Sequence, residues 1–176
     1  MNGDVVSTLF IGAVVCLAWL GGWQIEQLSR RMKMMKTIKI KYLKPITPIQ
    51  KIQVGDWVDL RCAEAISLKK GDFYTIPLGV CMELPKEYEA IVAPRSSIFG
   101  KYGLIQTNGI GVIDYTYNGD NDEWKLPVLA TKDITIPFNE RICQFRIQRN
   151  QPPIVFEAVA SIGNKDRGGF GSTGGK

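Results

Sequence analysis

The chain contains no histidine, and this absence limits the chemistry that any site in it can use. Histidine is the side chain that most often transfers protons near neutral pH, and it is the commonest metal ligand in proteins. Without it, proton transfer falls to a carboxylate, a tyrosine or a lysine. A bound metal ion is expected to be a hard one with oxygen ligands, such as Mg²⁺, rather than Zn²⁺.

Cysteine is scarce, and the cysteines lie far apart in the sequence. Zinc sites and disulfide-exchange motifs place two cysteines within a few residues of each other, and no such pair is present. Isolated cysteines between apolar neighbours are typical of small core residues in a reducing compartment, and this is our interpretation of them. The four are Cys16, Cys62, Cys81 and Cys143.

Excess positive charge is absent from most of the chain, although the net charge is +5. Seven of the 22 basic residues, but two of the 17 acidic residues, lie before residue 45, so the remainder carries 15 of each sign. A protein that binds a nucleic-acid backbone presents a broad basic surface. We therefore expect no nucleic acid among the partners.

One long apolar run lies near the N-terminus, from Val5 to Trp23, and a basic segment follows it. As a helix its roughly 19 residues reach about 28 Å, which is enough to cross the core of a bilayer. The positive-inside rule then places the basic segment in the cytoplasm. The run predicts a cytoplasmic domain tethered to a membrane by residues 5–23.

A second interpretation of residues 1–34 stays open. Met35 is followed by Lys-Thr-Ile-Lys-Ile, which makes an ordinary beginning for a soluble protein. Residues 1–34 are therefore either an anchor with a basic linker or a misplaced start. The mass of the N-terminal peptide of protein from the native host separates the two, because a form that begins only at or near Met35 has no anchor.

Residues 35–165 carry short strand patterns. Ile38, Ile40 and Tyr42 alternate with polar residues, which predicts a strand with one buried face. Further short apolar runs follow, with glycine, proline or asparagine between them, and this spacing is typical of an all-β sandwich or barrel. The runs are Glu89 to Ala93, Val112 to Ile113, Asp133 to Phe138, Ile142 to Ile147 and Ile154 to Val159.

One short helix is expected among these strands, from Ser96 to Tyr102. Ser96 can cap its N-terminus and Gly103 can end it. The free backbone N–H groups at the N-terminus of a helix attract anions. Ser96 is therefore placed where a phosphate group can rest.

The stretch Asn108–Gly119 combines turn signals with polar side chains. Its two Asn-Gly pairs favour tight turns, and the glycines inside its apolar run mark a close approach of another group to the backbone. The stretch predicts a β-hairpin with chemistry at its bend. The carboxylate of Asp114, between an isoleucine and a tyrosine, is either held by a structural partner or poised as a base.

Four other segments accompany this stretch in a fixed order. They are Gly55 to Leu60, Pro94 to Ser97, Arg141 to Gln144 and the glycine-rich end Arg167 to Gly174. Together with Asn108–Gly119 they resemble the ordered motifs of the trimeric dUTP pyrophosphatases (dUTPases), and the resemblance covers nearly everything after about residue 35. It implies a jelly-roll-like subunit of a homotrimer in which several chains build each site. It also implies Mg²⁺-dependent hydrolysis of dUTP to dUMP and pyrophosphate.

The resemblance implies a role for each matching residue of the central stretch. Asp114 is expected to be the general base that takes a proton from the water attacking the α-phosphorus. Asn108 offers a donor and an acceptor to the imide edge of uracil, with the backbone around Gly111 supplying the other contacts. Tyr117 is expected to lie against the deoxyribose and leave no room for a 2′-hydroxyl.

The flanking motifs are expected to hold the triphosphate and the metal. By resemblance, Ser96 and its neighbour Ser97 contact phosphate, and Arg95 orients the catalytic carboxylate. Gln144 reaches the phosphates, while strand alternation puts Arg141 on the face of Cys143, in a structural role. Asp59 either helps to hold Mg²⁺ through water or is a turn aspartate at a strand entrance.

The glycine-rich end, residues 166–176, has the composition of a flexible tail. As a dUTPase tail it is instead a lid that closes over bound nucleotide. Phe170 then covers the uracil ring, and the phosphates receive donors from the residues around it. These are Arg167, Gly171, Ser172 and Thr173.

Two other functions remain as alternatives. A dCTP deaminase of the same fold is one, and release of ammonia from dCTP would identify it. The other is a regulatory protein that binds a partner in response to nucleotide. Residues 120–124 could serve such contacts, although a surface loop is the interpretation that we favour for them.

Overall fold

The computed structural model describes residues 36–50, 55–166 and 168, and the statements below refer to these residues. They form short antiparallel strands with one short helix, so the prediction of an all-β domain is confirmed. In chain order the elements are β1 (Lys39–Tyr42), β2 (Val58–Arg61), β3 (Ile66–Leu68), β4 (Phe73–Pro77), β5 (Val80–Glu83), β6 (Tyr88–Pro94), α1 (Ile98–Tyr102), β7 (Leu104–Gln106), β8 (Gly111–Ile113), β9 (Lys125–Ala130), β10 (Ile134–Ile136) and β11 (Arg141–Arg149).

The strands pair into four antiparallel sheets within the described ranges. The largest has the order β2-β11-β6-β8, the next has the order β4-β9-β7, and β1-β5 and β10-β3 form two-stranded sheets. In the largest sheet β6 lies between β11 and β8. This position matters for function, because the chain leaves β6 for α1 at one end of the sheet and leaves β8 for the following loop near the other.

The sheets enclose one hydrophobic core. Strand β9 shows how the sequence builds it, since Leu126, Val128 and Ala130 are buried at alternate positions of the strand. Side chains of a strand point to opposite faces in turn, so alternation of this kind buries one face. At the centre, the rings of Trp124 and Phe145 meet edge to face with their centroids 5.3 Å apart.

The cysteines of the described residues behave as core side chains. Cys62, Cys81 and Cys143 are free and buried, as their apolar neighbours predicted. Burial raises the pKa of the Cys62 thiol to about 11, so this thiol stays protonated and unreactive near neutral pH.

Most of the predicted strands are confirmed. The runs at 89–93, 112–113, 133–138 and 142–147 overlap β6, β8, β10 and β11. The run at 154–159 does not form a strand, and residues 151–166 are all exposed without helix or strand. A strand needs a neighbour to receive its backbone hydrogen bonds, and the described part of this chain gives that run none. β1 pairs with β5, and Ile38 and Ile40 of its predicted buried face pack against the core, whereas Tyr42 is 36% exposed.

The short helix begins later than predicted. It runs over Ile98–Tyr102, its N-cap is Ser97 rather than Ser96, and the Ser97 side chain makes no capping hydrogen bond. Its C-terminal end is as predicted. Gly103 has a left-handed conformation with φ of 61°, and its N–H donates to the carbonyl oxygen of Phe99 over 2.6 Å.

The predicted β-hairpin over Asn108–Gly119 is wrong. Strand β8 pairs with β6, and the next strand in the sequence, β9, pairs with β4 and β7 in another sheet. The chain instead turns just after β8, where the N–H of Tyr117 donates to the carbonyl oxygen of Asp114 over 3.0 Å. The polar residues at this turn are therefore displayed on a loop between two sheets.

No helix in residues 36–50, 55–166 and 168 is long and apolar enough to span a bilayer. The predicted anchor at residues 5–23, and the alternative of a misplaced start at residues 1–34, lie outside the described residues.

Candidate active site

In the largest sheet, two arginines contact one carboxylate. Asp59 in β2 forms an ion pair with Nε of Arg95 over 2.9 Å at one oxygen and accepts from Nη1 of Arg141 over 3.0 Å at the other. The side chains of Arg95 and Asp59 are 27% and 28% exposed, so the cluster is open to solvent on one side. Two guanidinium groups on one carboxylate leave net positive charge, which suits a phosphate group. Asp59 lies within a strand and not in a turn.

A β-bulge places Arg141 in this cluster. The pairing of β11 with β2 shifts register between Arg141 and Cys143. As a result Ile142 and Cys143 are both fully buried while Arg141 is exposed. The prediction that Arg141 shares a face with Cys143 is wrong, because simple alternation holds only along an unbroken ladder.

Gln144 lies next to the same cluster. It faces Asp59 across β2 and Ala93 across β6, and its Nε2 donates to the carbonyl oxygen of Pro94 over 3.3 Å. Ser96 and Ser97 are exposed in the turn between Arg95 and α1. The residues predicted to contact phosphate are therefore neighbours in the structure.

A second group of polar residues flanks β8. Before the strand, the N–H of Ile110 donates to the carbonyl oxygen of Asn108 over 2.6 Å, and the residue between them, Gly109, has φ of 65°. Such a conformation favours glycine. The side-chain oxygen of Asn108 accepts from Nε2 of Gln106 over 2.9 Å. Gly111 lies close to β6, since a Cβ there would be 3.1 Å from Cβ of Val92.

After β8, Asp114 is an exposed carboxylate held by its own loop. One of its oxygens accepts from the backbone N–H of Thr116 over 2.8 Å. The hydroxyl of Thr116, followed by this N–H, holds the pKa of Asp114 below its ordinary value. A hydrogen bond to the ionised form stabilises that form. Asp114 is therefore ionised near neutral pH and can accept a proton from a molecule in solvent.

Tyr117 is fixed in place by the segment that follows it. Its hydroxyl donates to the carbonyl oxygen of Glu123 over 3.2 Å, and its side chain is 39% exposed. Burial, and then the charge of Asp122, raise the pKa of Tyr117, so the ring stays uncharged. A half-exposed aromatic ring offers a flat apolar surface to a ligand.

The expectation of a simple surface loop at residues 120–124 is wrong for the end of that segment. Trp124 is fully buried, and Oε1 of Glu123 accepts from the N–H of Gly79 over 2.9 Å. Oδ2 of Asp122 accepts from the N–H of Gly119 over 2.7 Å. The segment is anchored in the core and supports Tyr117. The sequence analysis did not identify Glu123 as a residue that supports Tyr117. The neighbouring Trp124 was the available signal, because a large aromatic residue is often buried and fixes the residues beside it.

The two groups lie apart within one chain. Ile113, the residue before Asp114, faces Ala90 on β6, whereas Arg95 comes five residues later. At about 3.3 Å per residue this separation is roughly 17 Å. An aspartate and an arginine side chain cannot span that distance between them. A single chain therefore does not bring Arg95 to Asp114.

The described residues contain no preformed cage for a metal ion, since they include no group of three or more His, Cys, Asp or Glu side chains suited to hold one. Mg²⁺ does not require such a cage, because it usually keeps several waters and binds through one or two carboxylates together with substrate phosphates. Asp59 is the carboxylate nearest the phosphate-binding candidates. The lid residues Arg167, Phe170, Gly171, Ser172 and Thr173 lie outside the described residues.

Comparison with known proteins gives this arrangement a family. The sequence model of the dUTPase family matches residues 50–174. The SPbeta prophage-derived deoxyuridine 5'-triphosphate nucleotidohydrolase YosS of Bacillus subtilis is 54% identical over 140 residues, which make up 79% of this chain and 99% of that protein. The chain belongs to the dUTPase family. The resemblance seen in the ordered motifs is thereby confirmed.

Solved dUTPases share the fold of this family member. A mutant dUTPase of Staphylococcus bacteriophage 80alpha, with dUpNHpp, matches with a TM-score of 0.65 at 19% identity, over 80% of this chain and 99% of that one. A mutant dUTPase from phage phi11 of S. aureus, described with a structural Mg(II) ion, matches with a TM-score of 0.62 at 15% identity, over 73% and 100%. At these identities the likeness concerns the fold alone.

Proposed function

We propose that this dUTPase-family chain hydrolyses dUTP to dUMP and pyrophosphate, with Asp114 as the general base. One observation carries the proposal. A single segment presents an exposed, ionised carboxylate at Asp114, a supported aromatic ring at Tyr117 and a side-chain amide at Asn108. These are the groups that a base, a sugar and an attacking water need.

The chemical step is a proton transfer coupled to attack on phosphorus. Asp114 accepts a proton from a water molecule, whose oxygen forms a bond to the α-phosphorus. The bond from that phosphorus to the oxygen bridging to the β-phosphorus breaks, and pyrophosphate leaves. Because Asp114 is ionised near neutral pH, it is ready to accept the proton without a prior deprotonation step.

Recognition of the nucleoside falls to the other two groups. Asn108 and the backbone from Gly109 to Gly111 bind the uracil. The ring of Tyr117, fixed by the carbonyl of Glu123, packs against the deoxyribose, and a 2′-hydroxyl would collide with it. In this proposal the Tyr117 ring separates dUTP from UTP.

The triphosphate binds at the arginine cluster. Arg95, Ser96, Ser97 and Gln144 donate to its oxygens and stabilise the charge that develops on the leaving pyrophosphate. Mg²⁺ would arrive with the triphosphate and supply further charge neutralisation. Asp59 would hold it through water, using the lone pairs that its two arginines leave free.

The separation of the two groups along β6 supports a site shared between chains. Because Arg95 and Ala90, which faces the residue before Asp114, lie roughly 17 Å apart along β6, we place the phosphate-binding group of one copy against the loop of another. In this arrangement Arg95 orients Asp114 of a neighbouring chain. We propose a homotrimer, a closed ring with three such sites.

The exposed C-terminal arm also supports assembly. Every residue from 151 to 166 is exposed, and the large apolar side chains Val155, Phe156 and Ile162 are 95%, 90% and 82% exposed. Apolar side chains that are this exposed in one chain mark a contact with another. An arm that reaches a neighbouring copy would deliver the lid, residues 166–176, to its site. Phe170 would then stack on uracil, and Arg167, Gly171 and Ser172 would contact phosphate.

Pyrophosphate release from each deoxynucleoside triphosphate tests the proposed activity. We expect release from dUTP and little from dCTP, dTTP, dATP or dGTP. The same reactions are assayed for ammonia, since ammonia from dCTP would identify the deaminase alternative. No release of pyrophosphate from dUTP in the presence of Mg²⁺ contradicts the proposal.

A further inference from the structure

Gln106 is a polar side chain in an apolar place. It ends β7 and is the one polar residue of the described part of the chain that is buried, at 8% exposed. Its Nε2 donates to two oxygens, the backbone carbonyl of Val92 over 3.3 Å and Oδ1 of Asn108 over 2.9 Å. Its own oxygen, Oε1, has no hydrogen-bond partner within the described residues.

The unpaired oxygen shows that only the NH₂ group of this amide forms hydrogen bonds within the described residues. A buried polar atom without a partner destabilises the fold, whereas an apolar side chain of the same size would fill the space without that cost. The contribution of Gln106 therefore comes from its NH₂ group. That group links β6 to the turn that carries Asn108.

The backbone of β6 determines which end of the Gln106 amide faces Val92, and hence which end of the Asn108 amide faces Gln106. The carbonyl oxygen of Val92 can only accept, so the NH₂ end of Gln106 must face it. The same nitrogen meets Asn108, so the oxygen of the Asn108 amide faces inward. Oxygen and nitrogen lie on opposite sides of an amide group, and Nδ2 of Asn108 consequently lies away from Gln106.

The surroundings of Gln106 resist rotation of its amide. Gly111 lies against it, since a Cβ at that position would be 3.6 Å from Nε2 of Gln106 and 3.1 Å from Cβ of Val92. An amide packed this closely and bound at two points holds one orientation. Asn108 inherits that orientation even though its own side chain is exposed.

We infer that Gln106 is a positioning residue that turns the NH₂ group of Asn108 toward the base and so selects uracil over cytosine. The inference rests on the proposed function. Uracil presents a carbonyl oxygen at carbon 4, which the NH₂ group of Asn108 can donate to. Cytosine presents an amino group there, and two donors leave both groups unpaired.

This inference changes the role predicted for Asn108 from sequence. Asn108 was expected to offer both a donor and an acceptor to the imide of uracil, but its oxygen faces inward, where it accepts from Gln106. The N3–H group of uracil then needs another acceptor. Backbone carbonyl groups of the turn from Asn108 to Gly111 are the remaining candidates.

The variant Gln106→Met tests the inference, because methionine fills a similar volume and carries no amide. The dissociation constants of dUMP and dCMP are measured by calorimetry for the wild type and the variant. With Asn108 free to rotate, we expect the preference for dUMP over dCMP to fall about tenfold, the size of one hydrogen bond. The value of kcat for dUTP is expected to change little, because Asp114 and the phosphate-binding residues are untouched.

Gln148→Met is the matched control. Gln148 is a partly buried glutamine of β11 whose Nε2 donates to a side chain of the neighbouring strand β6, Oε1 of Glu89, over 2.9 Å. Its replacement is expected to leave the preference for dUMP unchanged. An unchanged preference in Gln106→Met would overturn the inference, as would an equal loss in the control.

A second variant decides the matter if Gln106→Met does not fold. Asn108 is exposed, so Asn108→Asp is expected to fold. It keeps the inward acceptor and replaces the outward donor with an acceptor, and the preference should move toward dCMP. A wild-type preference in Asn108→Asp would overturn the inference. Failure of the wild type to hydrolyse dUTP counts against the proposed function instead, because these binding constants do not depend on turnover.

Discussion

At the scale of single residues, the proposed chemistry depends on how the loop after β8 holds the carboxylate of Asp114. The carboxylate is exposed, and Thr116 lowers its pKa through its hydroxyl and its backbone N–H. The direction in which this lowered pKa changes the pH dependence of activity follows from the proposed role of Asp114 as the general base. A general base works when it is deprotonated, so a lowered pKa extends activity toward acid pH.

The first prediction follows from this direction. Replacing Thr116 with valine removes the hydroxyl and keeps the backbone N–H, so the pKa of Asp114 should rise toward that of an ordinary aspartate. The acid limb of the profile of kcat/KM against pH should therefore move to higher pH, while the rate near pH 8 stays close to wild type. A limb that stays in place or moves to lower pH would show that Thr116 does not control the base.

Residue identities could be predicted from the sequence better than residue contacts could. Asp114, Tyr117 and Asn108 could be named because the segment that contains them resembles a dUTPase motif, and such a motif is visible in the local sequence. The ion pairs of Asp59 were not visible, because they join strands that are distant in sequence. The side of β11 that Arg141 occupies depends on a bulge, and no local pattern announces it.

At the scale of elements, the loop between β8 and β9 works as a support for Tyr117. Its far end is fixed by the buried ring of Trp124 and by the contact of Glu123 with Gly79.

The strands could be predicted from alternation, yet their pairing could not. β8 and β9 are consecutive strands, yet they lie in different sheets. Which strands pair depends on which apolar faces meet in the core. The burial of Trp124 could not be predicted either, because the acidic residues just before it are typical of an exposed loop.

The second prediction concerns this support. Tyr117→Phe keeps the ring and loses the hydrogen bond to the carbonyl of Glu123, a contact worth about 1 kcal/mol. KM for dUTP should rise a few-fold while kcat changes little, because in the proposed site the ring packs against the sugar and takes no part in proton transfer. Steady-state kinetics check this, and Tyr74→Phe, which removes a hydroxyl bound to Glu64, is the control. A large loss of kcat with unchanged KM would contradict a supporting role.

At the scale of the whole molecule, the residues proposed for the site lie in two separate groups of a single chain. The arginine cluster lies at one end of β6, and Asp114 lies near the other. An exposed apolar arm extends from the same chain. In the proposed trimer, assembly of identical chains in a ring would complete each site and cover the arm.

The third prediction tests shared sites directly. Asp114→Asn and Arg95→Ala subunits should each be inactive as pure preparations. When the two are unfolded together and refolded as a mixture, some sites receive an intact Asp114 from one chain and an intact Arg95 from another. About a quarter of the sites should become active in a random equal mixture. Light scattering checks that the mixture has three chains per particle. A mixture as inactive as its components would place both residues in one chain.

The most direct test of the account is the rate of dUTP hydrolysis by the Asp114→Asn variant. Asparagine keeps the shape of the side chain and cannot accept the proton, so turnover should fall by at least about a hundredfold while dUTP still binds. Asp133→Asn is the matched control, since Asp133 is also an exposed aspartate whose pKa is lowered by hydrogen bonds, and it lies at β10 away from the site. The account predicts wild-type turnover for Asp133→Asn and almost none for Asp114→Asn; ordinary turnover in Asp114→Asn would contradict it.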